Sequence, residues 1–396
     1  MKQKRQSNDP KIAALIRRYP KARAFAHVTL LSASGRSIFT TKEKIAPKNV
    51  HKFFPPEGNA EIVSKILESL GLRVIAQNRI TICVSAQFED FQNAFGVRLT
   101  AKQYSPYITQ LSQKVTKVKS SALELFHNRR KELPIPSALQ FYVEKITLPG
   151  KVILLDEDPD PPNPRYHHLK VPSDVARQVN ALACHHRGYL GRGLVLAMPD
   201  FGTFQHAYYA RRDYHIDVDL SAFDDTGVGI WSEEYGMVFP VGYFGHGTAI
   251  AANAQSIAPL GRLIGVRQGD AIFTPLCSFI SAADHNPDVI TISWKLGAED
   301  PEIPSLRTAI AQAIRDGITV CCACGNKGPV AFPSSIPEVI SVGGAYADEQ
   351  DALQASTYAS SGQLPAIDLG RQMPDLVGMV DKALWASISL FQSKKV

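Results

Sequence analysis

The chain has 396 residues, 45% hydrophobic and 20% charged, the balance of an ordinary globular protein with room for two domains, the larger one holding a sizeable core. No run approaches the roughly 18 apolar residues of a membrane-spanning helix, so no membrane partner is expected. The N-terminus has no apolar stretch of the kind that opens a secretory signal, which leaves the compartment unassigned and cytoplasmic by default.

The net charge of +6 is gathered near the start, where residues 1–50 hold twelve Lys/Arg against Asp9 and Glu43. No aromatic interleaving or nucleic-acid motif accompanies these charges, so a solvated or partner-docking basic face is expected, and no nucleic acid. Residues 1–21 read as a basic tail. Residues 22–150 then carry a small α+β pattern: a strand over Ala26–Leu31, an amphipathic helix over Asn59–Leu70, strands over Arg73–Ile75 and Ile80–Val84, and a helix over Ala86–Phe95 with Ser85 as N-cap. This β-α-β-β-α order suggests a ferredoxin-like layer, and Phe141–Leu148 reads as one more strand. Residues 151–171 form a linker, and Asp156–Pro164 within it, acidic and proline-rich, should be stiff and extended. A helix over Ser173–His186 follows.

From there short apolar runs alternate with helical patterns. Leu194–Met198, Leu263–Arg267, Asp288–Ser293 and Ile318–Ala323 have strand length, and Ile303–Asp316 is amphipathic at helical spacing. Such alternation predicts an α/β fold with a parallel sheet covered by helices on both faces. In that architecture chemistry sits beyond the carboxyl ends of the strands. Asp200 and Asn326 fall at two such ends, and His246 opens the alanine-rich run that follows Gly245. An acid, a base and an amide donor are therefore expected on one rim. The six cysteines, Cys83, Cys184, Cys277, Cys321, Cys322 and Cys324, read as free thiols. Cys321-x-x-Cys324 has metal spacing but no second pair and lies in a buried-strand pattern, so no metal is expected there.

The order Asp, His, Asn in these surroundings resembles the subtilisin-like serine proteases. Met198-Pro199-Asp200-Phe201-Gly202 is similar to their Asp motif, with His206 beyond it. Gly245-His246-Gly247-Thr248 is similar to their His motif, and Ile257-Ala258-Pro259 to the segment after it. Ser293-Trp294 through Gly297 resembles the substrate-binding strand, Cys324-Gly325-Asn326 the oxyanion segment, and Phe332–Gly343 the stretch that follows. The resemblance implies a subtilisin-like peptidase domain over 172–380, preceded by the 22–150 unit, whose Leu72–Leu99 resembles a kumamolisin-type propeptide. It further implies a serine endopeptidase acting on peptide or protein substrates, with Asp200 orienting, His246 as base then acid, and Asn326 donating to the oxyanion. Ser293, Trp294, Gly297 and Gly325 would bind substrate as a neighbouring strand. The propeptide-like unit would be an intramolecular partner whose final segment crosses the cleft. No cofactor is implied, and no calcium site is evident.

Phe201 departs from the usual Ser or Thr, and Pro199 removes a backbone donor. No nucleophile is found: Ser334, Ser335, Ser341, Ser356, Ser360, Ser361, Ser387, Ser389 and Ser393 all follow Asn326, and none stands in the family's G-T-S-x-A-x-P setting. Residues 381–396 diverge, and the chain reads as a peptidase cut short before its serine. The rival reading is a catalytically inactive binder of peptides or a partner. Asp200-Phe201-Gly202 also spells the kinase D-F-G, and Gly188–Gly193 a lone glycine loop, but neither has the company a nucleotide enzyme needs.

Overall fold

The computed structural model describes residues 9–104, 122–154, 171–203, 207–223, 229–232, 237–240, 246–269, 272–326, 329–348, 350, 352–356, 362–363 and 371–379. The N-terminal part runs α1 (Pro10–Arg18), β1 (Arg23–Leu30), α2 (Asn59–Ser69), β2 (Arg73–Gln77), β3 (Thr81–Gln87), α3 (Phe88–Phe95), β4 (Leu99–Tyr104), β5 (Ala122–His127), β6 (Glu132–Leu133), β7 (Val143–Thr147) and β8 (Val152–Leu154). Its main sheet has the order β2-β3-β1-β7-β6, antiparallel throughout. Without the short edge strand β6, that is the ferredoxin-like arrangement expected from the chain order. β4 and β5 form a separate hairpin.

Two expectations fail in this part. Residues 10–18 are a helix, not a tail: Asp9 caps it through Oδ1, and Ile12 and Leu15 join the apolar core of the sheet. Asp9 Oδ2 also accepts from the Ala101 amide at 3.0 Å, so the unit begins well before residue 22. Ser85 does not cap α3; it lies in β3, and its hydroxyl accepts from Arg23 Nε at 2.9 Å. The strand runs straight on to Gln87, and Gln87 stands in the cap position with no side-chain cap bond.

The second part runs α4 (Ser173–Gln178), α5 (Ala181–His185), β9 (Val195–Asp200), α6 (Ala207–Ala210), β10 (His215–Asp219), β11 (Gly229–Ser232), β12 (Met237–Pro240), α7 (His246–Ile257), β13 (Arg262–Arg267), α8 (Pro275–Asp284), β14 (Val289–Ile292), β15 (Trp294–Leu296), α9 (Ile303–Arg315), β16 (Thr319–Ala323), β17 (Ile340–Ala347), β18 (Leu353–Ala355), β19 (Gly362–Gln363), β20 (Gln372–Met373) and β21 (Leu376–Met379). The single helix expected over 173–186 is broken at Asn180, which adopts φ 60°. The large sheet has the order β10-β13-β9-β14-β16-β17-β18, with β21 beside β17. It is parallel from β10 to β17 and turns antiparallel only at β18. Its central strands are apolar on both faces, as helix-covered parallel strands must be. The fold is α/β and subtilisin-like, as expected. Among the described residues no helix is long and apolar enough to cross a membrane. The linker segment Asp156–Pro164 and the tail 381–396 lie outside the described residues.

One apolar core runs through both parts. Phe25, Ala76, Cys83, Ala122 and Val152 from the first pack with Phe279, Ile280, Leu306 and Ile310 of α8 and α9. Two acidic groups ahead of α9 hold the strand that leaves the first part: Glu302 Oε2 accepts from the Gly150 amide at 2.7 Å, and Asp300 Oδ2 from the Lys151 amide at 2.8 Å. A Cβ at 150 would stand 2.1 Å from Asp300 Oδ1, so any larger residue there has to push the Asp300 carboxyl off the Lys151 amide. With its backbone fixed in this way, β8 lies antiparallel on β15, with Val152 opposite Leu296 and Leu154 opposite Trp294. Gly150→Ala is expected to cost about 1–3 kcal/mol of stability, the usual penalty for overpacking, and to speed amide exchange at Val152–Leu154. Unchanged exchange in that segment would show that the two carboxylates do not set the position of β8.

Candidate active site

β9 ends at Asp200, and α7 begins at His246. The two meet because Gly247 has no side chain to separate them. A Cβ on Gly247 would lie 2.3 Å from the Gly202 carbonyl and 3.1 Å from Asp200 Oδ1, and Gly202 itself has φ 116°, a conformation open mainly to glycine. The small residues Ala249, Ala251 and Ala252 let α7 settle closely on β9 and β13 beside Met198 and Leu263. Tyr209 fixes the start of the helix by donating from its hydroxyl to the Thr248 carbonyl.

In this geometry His246 Nδ1 lies 2.8 Å from Asp200 Oδ1. Asp200 is 1% exposed and the His246 side chain 12%. An ionised Asp accepts only, so Nδ1 carries the proton and the ring's lone pair is on Nε2, the tautomer a general base needs. Asp200 Oδ1 also accepts from the Phe201 amide at 2.7 Å. Asp200 Oδ2 is buried with no hydrogen-bond partner among the described residues. Phe201 supplies no hydroxyl to it; its ring meets His246 edge-on at 5.9 Å and Phe273 at 5.0 Å. The imidazole is thus held from one side by a carboxylate and from another by an aromatic ring.

The remaining candidates lie on the same rim. Asn326 follows β16, the second strand from β9 on the side of β14. It comes after Gly325, whose φ is 112°, and it is half-buried. Ser293 sits between β14 and β15, also half-buried, and Gly297 just beyond β15, with open space where a Cβ would be. The Trp294 side chain is wholly buried, donating from Nε1 to the Pro199 carbonyl at 2.8 Å. Burial of so large a ring against the core outweighs any exposed role. Only the backbone of Trp294 lies along the strand edge, where β8 occupies it. Gly245 and His206 lie outside the described residues.

Among the serines after Asn326, Ser334 and Ser341 are fully buried and joined by a hydroxyl–hydroxyl bond of 2.7 Å, with Ser334 also donating to the Cys322 carbonyl. They serve the packing between β16 and β17. Sequence reasoning missed Arg267, buried and in register with Asp200 on β13, its guanidinium 4.2 Å from the centre of the Phe223 ring. An arginine ending an apolar strand reads as solvent-facing, and nothing local marks the aromatic cover.

With this geometry in view, the comparisons with known proteins converge. Residues 191–378 match the model of the subtilase family. The major intracellular serine protease of Bacillus subtilis (strain 168) is 30% identical over 123 residues, which cover 26% of this chain and 38% of that protein. Serine protease AprX of the same organism is 25% identical over 211 residues, covering 47% of this chain and 46% of that one. The chain spans less than half the length of the curated relatives it matches. Among solved structures, fervidolysin from Fervidobacterium pennivorans, a keratinolytic enzyme related to subtilisin, aligns over 87% of this chain and 46% of its own, at 14% identity and a TM-score of 0.43.

Gly247→Ala is expected to push α7 away from β9, lowering stability by about 1–3 kcal/mol and abolishing the strongly deshielded proton NMR signal of a His246 Nδ1–H bonded to a carboxylate. A variant that keeps both its stability and that signal would show that the close approach does not depend on the missing side chain.

Proposed function

We propose that this chain provides the peptide-recognising framework of a subtilisin-type serine endopeptidase, with its own strand β8 lying where a substrate strand would bind. The observation that carries the reading is the 2.8 Å contact between Asp200 and His246 at the carboxyl end of a parallel strand. The family match over residues 191–378 and the serine protease relatives support it. In this reading Asp200 fixes the tautomer of His246 and stabilises the imidazolium, His246 takes a proton at Nε2 and returns it to the leaving amine, and the Asn326 amide donates to the oxyanion. Ser293–Gly297 lines the substrate backbone, and β8, antiparallel along β15, blocks that edge by strand addition. The N-terminal unit, helix α1 included, acts as a propeptide-like partner, with its end delivered to the cleft by Glu302 and Asp300.

A second reading, a protein that holds extended peptides or a partner without cutting them, is favoured by one specific observation: β8 already lies antiparallel along β15, the edge a substrate strand would use. In subtilisin, loss of the serine costs on the order of 10⁶ in kcat, so the two readings differ by a measurable amount. A polypeptide of residues 1–396 is expected to show neither fluorophosphonate labelling nor turnover of a broad peptide library above that of His246→Ala. Labelling and turnover that disappear in His246→Ala would instead identify one of the chain's own serines as a nucleophile.

A further inference from the structure

Where the N-terminal sheet meets α8, three side chains with metal-binding chemistry converge out of reach of solvent. His27 on β1 and Cys83 on β3 are direct cross-strand partners, so their side chains share one face of the sheet. Cys277 on α8 packs against that face. All three residues are 0% exposed, and one ligand atom from each lies within 4.8 Å of the other two. Neither ring nitrogen of His27 has a hydrogen-bond partner among the described residues, and a buried polar group without a partner needs an explanation.

We propose that His27, Cys83 and Cys277 bind a zinc ion that clamps the N-terminal sheet to helix α8. Zinc takes thiolate sulfur at about 2.3 Å and imidazole nitrogen at about 2.0–2.1 Å, so its tetrahedral ligand atoms stand roughly 3.5–3.8 Å apart. The cluster reaches that spacing by moving each atom about 1 Å or less. Charge also fits the burial: two thiolates cancel the ion, the imidazole stays neutral, and no net charge is left in the core. The unprotonated ring is the form that ligates. The two thiol protons leave to solvent when the ion enters.

Glu302 completes the arrangement from the outside. Its Oε1 lies 3.3 Å from His27 Nδ1. With metal on Nε2, the Glu302 carboxyl beside Nδ1 is placed as the usual orienting partner of a zinc-bound histidine. The remaining position on the ion goes to a water or another small ligand. Two ligands from the N-terminal sheet and one from α8 make the ion a bridge between the two parts of the chain, whatever reaction the second part performs.

The test uses the full chain, purified reduced, stripped with a chelator and titrated with Zn²⁺ and, separately, Co²⁺. Expected are one equivalent of zinc per chain, a higher Tm with zinc, and the thiolate charge-transfer and intense visible bands of tetrahedral cobalt. Cys83→Ser and Cys277→Ser should each lose bound zinc, and Glu302→Gln should weaken it roughly 10–100-fold. Cys184→Ser, at an exposed thiol, should change nothing. No zinc uptake or no thiolate band in the unaltered chain would overturn the proposal, however the variants fold. Zinc retained in a Cys83→Ser/Cys277→Ser double variant, or a Cys83–Cys277 disulfide in the protein as isolated, would do the same.

Discussion

The candidate site depends on how closely a helix can approach the end of a strand. His246 reaches Asp200 because Gly247 puts no Cβ against Asp200 and the Gly202 carbonyl, and because α7 is built of residues small enough to lie flat on the sheet. The 2.8 Å contact follows from that packing. A hydrogen bond to a charged group contributes about 1.5–3 kcal/mol net in a folded protein, too little by itself to set the position of a whole helix. Close packing does so, and the acid–base pair is its by-product.

The same rim shows how the chain manages buried acids. Asp200 accepts two hydrogen bonds on one oxygen, and its other oxygen has no partner among the described residues. Glu302 and Asp300 turn to the backbone instead, each taking an amide of the segment that leads into β8. In both places a carboxylate out of water does positional work, once on a side chain and once on a strand.

Much of this was legible in the chain. Apolar runs ending in Asp200 and near Asn326 gave the parallel strands and their active rim, since strands covered on both faces carry continuous hydrophobic stretches. Gly245-His246-Gly247-Thr248 announced its own geometry. What stayed hidden was set by tertiary contact. Trp294 sits in a stretch that resembles a substrate strand, yet its indole turns inward to Pro199, and no local pattern records which way a side chain turns at such a bend. β8 spans only three residues, too short for a periodicity. His27, Cys83 and Cys277 come from three separate elements, and a strand pairing and a helix packing are both needed before they meet.

The buried indole has an optical consequence. Tryptophan emission responds to polarity and hydrogen bonding around the ring, and Trp294 ties β15, the strand edge that β8 occupies, to the Pro199 carbonyl, one residue before Asp200. A change in what lies along that edge is therefore carried by a single bond into the environment of an intrinsic fluorophore. The chain has a reporter of its own cleft, readable without a label.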